Sequence, residues 1–315
     1  MTPRVSVLMP VFNTARYLGA ALDSIRRQTF GEFELLVLDD GSRDGSGELL
    51  RRHAASEPRM RLMTRENRGL IASRNELLAA ARGELVAWID SDDAALPARL
   101  ARQCAAFDAD PHLVCLGTAA QCIDPDGSFL NVERYPLEHE EIVSAQQRAG
   151  GMRFPTTMMR RPAALRVGGF REPLRMGEDL DLLLRLGESG KLANLGEILY
   201  LYRQHTASVC ATLAPQWPGY RDLVLELARE RRHDGQDRLQ RGAAVAVPRA
   251  TAADTRQATW RTYHSWAGYA LANGNWPLSR KYALRALTQR PLARQTWRLM
   301  WRTIAGAGAD GKHAE

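Results

Sequence analysis

The sequence predicts an α/β protein: a mostly parallel sheet with helices on both faces, followed by a separate α-helical region. Three observations support this. In the first hundred residues, short apolar runs rich in β-formers alternate with longer stretches whose apolar residues recur every three or four positions. The apolar runs are continuous rather than alternating, as strands buried on both faces require. After residue 215 strand signals vanish and Arg- and Ala-rich helical patterning takes over.

Taken in order, "VSVLM" (Val5–Met9), "FELLVL" (Phe33–Leu38), "MRLM" (Met60–Met63) and "LVAWI" (Leu85–Ile89) read as strands. Ala15–Gln28, Ser46–Ser56 and Leu70–Ala81 read as the helices between them, a βαβαβαβ order that implies parallel strands. Beyond Asp93 the pattern loosens to a helix over Pro97–Asp108 and a strand over Leu113–Ile123. An Asp124-Pro125-Asp126-Gly127 turn then leads into another strand, followed by a helix over Glu138–Arg148. Glu178–Glu188 is a helix with Leu180, Leu183, Leu184 and Leu186 inward, and Ile198–His205 is a final strand that runs into a loop. Near the end, an Asn273–Asn275 turn, a helix from near Pro277 and a break at Pro291 describe one helical hairpin of the tetratricopeptide kind, too little for a solenoid. The predicted domains are 1–215 and 216–315, with a flexible linker over Gly242–Asp254.

The net charge of +7 is uneven, since residues 1–215 hold 26 Lys+Arg against 28 Asp+Glu and residues 216–315 hold 17 against 8. A basic tail suits an anionic surface, though such a run of arginines is more often just the solvated face of a helix. Cys104, Cys115, Cys122 and Cys210 form no CxxC pair and have no His at metal-ligand spacing. They read as reduced, mostly buried thiols of a cytoplasmic protein. The opening "MTPRVSVLMPVFN" lacks the apolar run of a signal peptide, and no window approaches 18 uncharged apolar residues, so no membrane span is expected.

Ligands of parallel sheets bind beyond the carboxyl ends of the strands, and here two acidic clusters fall on that edge: "DDGSRDGS" (Asp39–Ser46) and "DSDD" (Asp90–Asp93). A dinucleotide fold is excluded because "MPVFNTARYL" has no glycine before Gly19, and no GxxxxGK[ST] exists for a P-loop. Three neighbouring carboxylates repel one another, so a divalent cation is one explanation for them, and a solvated acidic loop with a helix N-cap is the other. Mg²⁺ or Mn²⁺ on Asp-x-Asp would bridge to a nucleotide diphosphate. "GEDLDLLLRL" sets Glu178 and Asp179 at a helix start, where the dipole favours carboxylates.

Together the segments "VSVLMPVFNTARYLGAALDSIRRQTFGEFELLVLDDGSRDGS", "ENRGLIASRN", "GELVAWIDSDD", "GGFRE", "GEDLDLLLRL" and "YRQHTASV" resemble the family-2 inverting glycosyltransferases of GT-A fold, whose sheet is Rossmann-like. The resemblance covers Arg4 to Ser208, about two thirds of the chain. It implies a metal-dependent, hexosyltransferase-type enzyme that takes a sugar from a nucleotide diphosphate, with UDP as the expected nucleotide. Asp40 would bond the base, Pro10, Val11 and Phe12 would shape its pocket, and Asp39 with Ser42 would hold the turn. Arg74 would lie near base or diphosphate with Asn67 and Gly69 beside it, and Asp90 would lie toward the ribose. Asp92, supported by Asp93, would hold Mn²⁺ or Mg²⁺, with the choice between these two ligands open. Asp179 would be the base and Glu178 its neighbour. His205 would reach diphosphate or metal, or else be an exposed loop histidine. No QxxRW follows the GED segment, which argues for a single-addition enzyme.

By the same analogy the acceptor is a glycan or lipid-linked oligosaccharide of bacterial surface polysaccharide synthesis, with peripheral contact between the basic helices and an anionic inner membrane face. No nucleic acid partner is expected. Two other readings stay open: a non-catalytic nucleotide-sugar binding protein, and a sugar nucleotidyltransferase. The second usually shows a Gly-rich basic loop after strand one, which "PVFNTARYL" lacks.

Overall fold

The computed structural model describes residues 2–148, 150–246 and 252–307. The elements in chain order are β1 (Val5–Val11), α1 (Ala15–Arg26), β2 (Phe33–Asp39), α2 (Ser46–Ser56), β3 (Met60–Thr64), α3 (Leu70–Ala80), β4 (Leu85–Trp88), β5 (Ala94–Ala95), α4 (Arg99–Ala109), β6 (Leu113–Ile123) and β7 (Phe129–Glu133). There follow α5 (His139–Gln146), β8 (Met158–Arg160), α6 (Arg161–Arg166), α7 (Glu178–Ser189), β9 (Lys191–Arg203), α8 (Val209–Leu213), α9 (Trp217–Asp234), α10 (Ala252–Ala272), α11 (Trp276–Gln289) and α12 (Arg294–Ala307). Most of the predicted linker, residues 247–251, lies outside the described residues.

The sheet runs β3-β2-β1-β4-β8-β6-β9-β5, with β7 on β6. Its first four strands are parallel, as the alternating pattern implied. Side chains leave a strand alternately to each face, and the core divides accordingly. Val5, Val7, Met9 and Val11 pack with Leu18, Leu22 and Ile25 of α1, Leu50 of α2 and Leu100 and Phe107 of α4. Leu8, Leu36, Leu38 and Trp88 pack on the other face with Leu77 and Leu78 of α3 and Leu182, Leu183 and Leu186 of α7. Each such side chain contributes about 1.5–3 kcal/mol when fully buried. Pro10 sits inside central β1 because pairing with β4 stops at Leu8 and Trp88, so no partner there needs its missing N–H.

The second half of the sheet departs from the simple pattern. β8 is a three-residue strand from "FPTTMMRR" wedged antiparallel between β4 and β6. β9 is thirteen residues long, whereas the sequence predicts a strand only from Ile198. Its first half, "KLANLGE", has low β-propensity, and tertiary bonding compensates: the Asn194 amide donates to the carbonyls of Pro136 and Gly151 at 2.7 and 2.8 Å. The predicted last strand also ends early, at Arg203, which leaves His205 beyond it.

The chain divides into two compact units: Met1–Ala120 with Glu133–Tyr202 and Tyr220–Val247, and Gln121–Val132 with Arg203–Gly219 and Pro248–Glu315. These cut the chain differently from the composition change at 216, because charge composition reports solvent exposure rather than contacts. In the first unit, α7 is buried on more than its leucine face, since Asp181 and Arg185 are buried too. Asp181 is paired with Arg171 and lies 2.7 Å from Arg185. Arg171 and Arg231 also reach Asp237 at 2.7 and 2.6 Å, and Arg231 reaches Glu188 at 2.7 Å. Removing one member leaves buried charge uncompensated, so Asp181→Ala should cost about 3–5 kcal/mol in urea unfolding. A loss below about 1 kcal/mol would show the cluster to be solvated.

In the second unit the Asp124 carboxylate organises the predicted turn. It accepts the N–H groups of Asp126 and Ser128, and also Tyr282 Oη at 2.6 Å and Lys281 Nζ at 3.2 Å. Burial alone would raise its pKa, but these bonds hold it below the ordinary value. Asn275 caps α11 by accepting the Leu278 N–H, as the Asn-Gly-Asn-Trp-Pro run suggests. Cys104, Cys115 and Cys122 are buried and Cys210 is exposed, with no disulfide among them. Among the described residues no helix is long and apolar enough to cross a membrane.

Candidate active site

The loops after β1 and β2 bond each other. Asn13 N–H donates to Ser42 Oγ at 3.0 Å, and Asn13 Oδ1 accepts the Arg43 N–H at 2.8 Å. Across the DDGS turn Asp39 Oδ1 accepts the Ser42 N–H at 3.0 Å. Gly41 has φ +79°, and a Cβ there would stand 2.9 Å from Asn67 N, so only glycine lets this turn approach the loop after β3. Asp40 is buried and accepts Arg65 Nε, Arg68 N–H and Gly69 N–H at 2.8, 3.0 and 2.8 Å. Asn67 donates to the Asp40 carbonyl. Asp40 therefore anchors the loop that precedes α3. Pro10 and Val11 are buried, whereas Phe12 is 49% exposed at the mouth of β1.

Between β4 and β5 the chain turns through Asp90–Asp93, closed by Asp93 N–H to the Asp90 carbonyl. Carboxylate oxygens of Asp90, Asp92 and Asp93 lie within 4.8 Å of one another. Asp90 is pushed up to about 6, chiefly by burial and further by Asp92 and Asp179, while Arg74 opposes the rise. Three carboxylates within reach of one another are hard oxygen donors of the kind that Mg²⁺ or Mn²⁺ takes. Below the turn sits Arg99, fully buried, which donates to the carbonyls of Trp88, Pro155 and Thr157 and lies 4.9 Å over the Tyr200 ring. Burial lowers its pKa to about 10, while the charges of Asp93 and Asp90 favour its cationic form. Tyr200 Oη in turn accepts the Asp90 N–H at 3.2 Å. Neither residue is marked by its sequence context. Arg99 looks like any basic residue in "ARLARQ", and Tyr200 like any strand aromatic.

Arg74 joins this turn to α7. Its guanidinium lies 2.6 Å from Glu178 Oε1 and 3.5 Å from Asp90 Oδ1, above Phe154 and Phe170 at 4.6 and 5.4 Å. Both rings also pack on Trp88. Glu178 is pushed up to about 8 by burial and by Asp179, against the pull of Arg74. Gly177, at φ +78°, starts α7 from a left-handed residue. Asp179 is half-buried and accepts the Leu180 N–H at 2.7 Å. His205 belongs to the second unit, where its carbonyl accepts Ser208 Oγ–H.

Residues 6–168 match the family model for glycosyl transferase family 2. The chain belongs to that family. It is 34% identical over 209 residues to the putative glycosyltransferase EpsE of Bacillus subtilis (strain 168), covering 64% of this chain and 73% of EpsE. It is 30% identical over 199 residues to the chondroitin synthase of Pasteurella multocida (strain Pm70), covering 63% of this chain. The chain spans only 20% of that synthase. The crystal structure of S. aureus TarS 1-349 in complex with UDP-GlcNAc superposes with a TM-score of 0.56 at 17% identity, covering 99% of this chain and 93% of that one. That likeness shows a shared GT-A fold. The family-2 segment, 6–168, takes in β1 to α6 and so contains the DDGS turn, Arg74 and DSDD. The GED helix lies beyond it.

Proposed function

We propose that this family-2 chain is a metal-dependent inverting glycosyltransferase that moves a sugar from a nucleotide diphosphate, with UDP as the nucleotide, to an acceptor hydroxyl in surface glycan or polysaccharide synthesis. The observation that supports it most is Arg74 touching both Asp90 of the DSDD turn and Glu178 of the GED helix, which brings carboxylates 88 positions apart into one site. TarS was crystallised with UDP-GlcNAc, which favours a UDP-sugar donor here.

In this reading the loops after β1 and β2 seat the nucleotide, with Pro10, Val11 and Phe12 about the base and Asp39, Asp40 and Asn67 fixing the loop walls. Asp90 lies toward the ribose. Asp92 and Asp93 would hold Mg²⁺ or Mn²⁺, and His205, which belongs to the second unit, is not assigned to that site. A bound cation would supply charge neutralisation for the departing diphosphate. Glu178 is held inward on Arg74, which leaves the more accessible Asp179 to take the acceptor proton. The acceptor oxygen then attacks the anomeric carbon opposite the diphosphate, the carbon–diphosphate bond breaks, and the configuration inverts. Transfer chemistry falls in residues 1–215 and glycan or lipid-linked acceptor handling is left to the remainder. A cytoplasmic place of action, peripheral to the inner membrane face, belongs to the same proposal.

The test is calorimetric titration with UDP and with GDP, with and without Mn²⁺. UDP binding that requires Mn²⁺ and is weakened at least about a hundredfold by Asp92→Ala supports the reading, since one lost charged contact is worth about 3 kcal/mol. No binding of either nucleotide would overturn it.

A further inference from the structure

We infer that the outer face of α12 docks on an anionic lipid surface. This inference names the surface for the peripheral membrane contact of the proposed function, and its test is separate from that of the transfer chemistry. The inner face of α12 is formed by Thr296, Met300 and Thr303, all buried, with Trp260 donating to Thr296 Oγ1 at 3.0 Å and Arg280 donating to the Thr303 carbonyl. On the outer side Trp297, Trp301 and Ile304 are 49%, 68% and 50% exposed. Spaced at i, i+4 and i+7, they form one continuous stripe along the helix. Arg294, Arg298 and Arg302, also exposed, form a second stripe beside it at i, i+4 and i+8. The solvent half of this helix is thus half indole and aliphatic, half guanidinium.

Water is a poor solvent for the first stripe and a good one for the second. A lipid headgroup layer suits both, because an indole settles at the boundary between headgroups and acyl chains while guanidinium groups meet phosphates. Charge selects the occupant. From Trp276 to Ala307 the chain has seven Lys or Arg and no Asp or Glu. A second copy of the chain on a two-fold axis would bring equal arginine rows together, which is repulsive. An anionic bilayer is complementary to both stripes and requires only that the helix lie flat, which its exposed face permits.

The experiment is flotation of the full chain with phosphatidylcholine vesicles, with and without phosphatidylglycerol. The expected result is flotation with anionic vesicles only, weakened by added salt. Lipids brominated in the upper acyl chain should quench tryptophan emission in those vesicles. Arg294→Gln with Arg298→Gln and Arg302→Gln should weaken binding about a hundredfold, and Trp297→Ser with Trp301→Ser at least about tenfold. If either variant fails to fold by circular dichroism, quenching of the wild-type protein decides the matter. Absence of flotation, equal flotation on neutral vesicles, or folded variants that bind like wild type would overturn the inference. So would a concentration-dependent dimer lost in the tryptophan variant, which would assign the face to a second copy. Retention on RNA in place of vesicles would assign it to nucleic acid.

Discussion

Asp179→Asn is expected to lower kcat for sugar transfer by about 10²–10⁴-fold while leaving the KM for the donor nearly unchanged. The substitution is isosteric, and an amide oxygen can still accept the Leu180 N–H that Asp179 Oδ1 accepts now. The helix start is therefore preserved, and only the capacity to take a proton is lost. Donor binding by calorimetry together with steady-state transfer rates checks this split. A kcat within about threefold of wild type would move the base role away from Asp179 and make Glu178, its buried neighbour, the next candidate. A parallel loss of donor binding would instead mean that Asp179 helps seat the nucleotide-sugar.

The second large effect is structural and catalytic together. Above pH 8, where Glu178 is ionised, Arg74→Met should destabilise the protein by about 3–5 kcal/mol, because that buried carboxylate loses its cation and half-buried Asp90 loses it in part. The methionine can fill the place above Phe154 and Phe170, so the loss measures charge more than packing. Adding Glu178→Gln should recover at least about 1 kcal/mol of that loss, since it removes one uncompensated charge. Additive losses in the double variant would show that the two side chains act independently. Urea unfolding of the four proteins of the cycle, with and without Mn²⁺, makes the comparison. Mn²⁺ should narrow the gap if Asp90 shares a cation with Asp92 and Asp93.

How far the sequence could be read depended on the range of the interactions involved. Strands β1 to β4 and helices α1 to α3 were legible because their periodicity is a local consequence of burial on two faces. The charged turns were legible as well. Asp39 bonds three residues ahead, and Asp90, Asp92 and Asp93 share one turn, so their grouping needs no distant partner. The GED start announced itself through glycine followed by carboxylates. By contrast, β8 is too short to have a period, and the first half of β9 contains Asn194 and Gly196, whose propensities point away from a strand. Asp40 illustrates the same limit in the site. The resemblance implies a contact to the base, whereas the fold engages its carboxylate with the Arg65–Gly69 loop, 25 to 29 residues later.

The sequence by itself determined the parallel half of the sheet, the family and the set of acidic residues at the strand ends, since each follows from residue type and near neighbours. Only the tertiary structure decided which charges meet. Arg74 could as well have been a surface helix arginine, and became the bridge between Asp90 and Glu178 because α3 and α7 pack against the same sheet face. Arg99 became the buried cation near Asp90 and Asp93 because three carbonyls from β4 and the 155–157 segment converge on it. Asp181 entered a cluster with Arg171, Arg185 and Arg231 because α7 is buried on more than its leucine face. Long side chains report their charge in the sequence but not their direction. The choice of partner is made by desolvation, which exists only once the chain has closed around them.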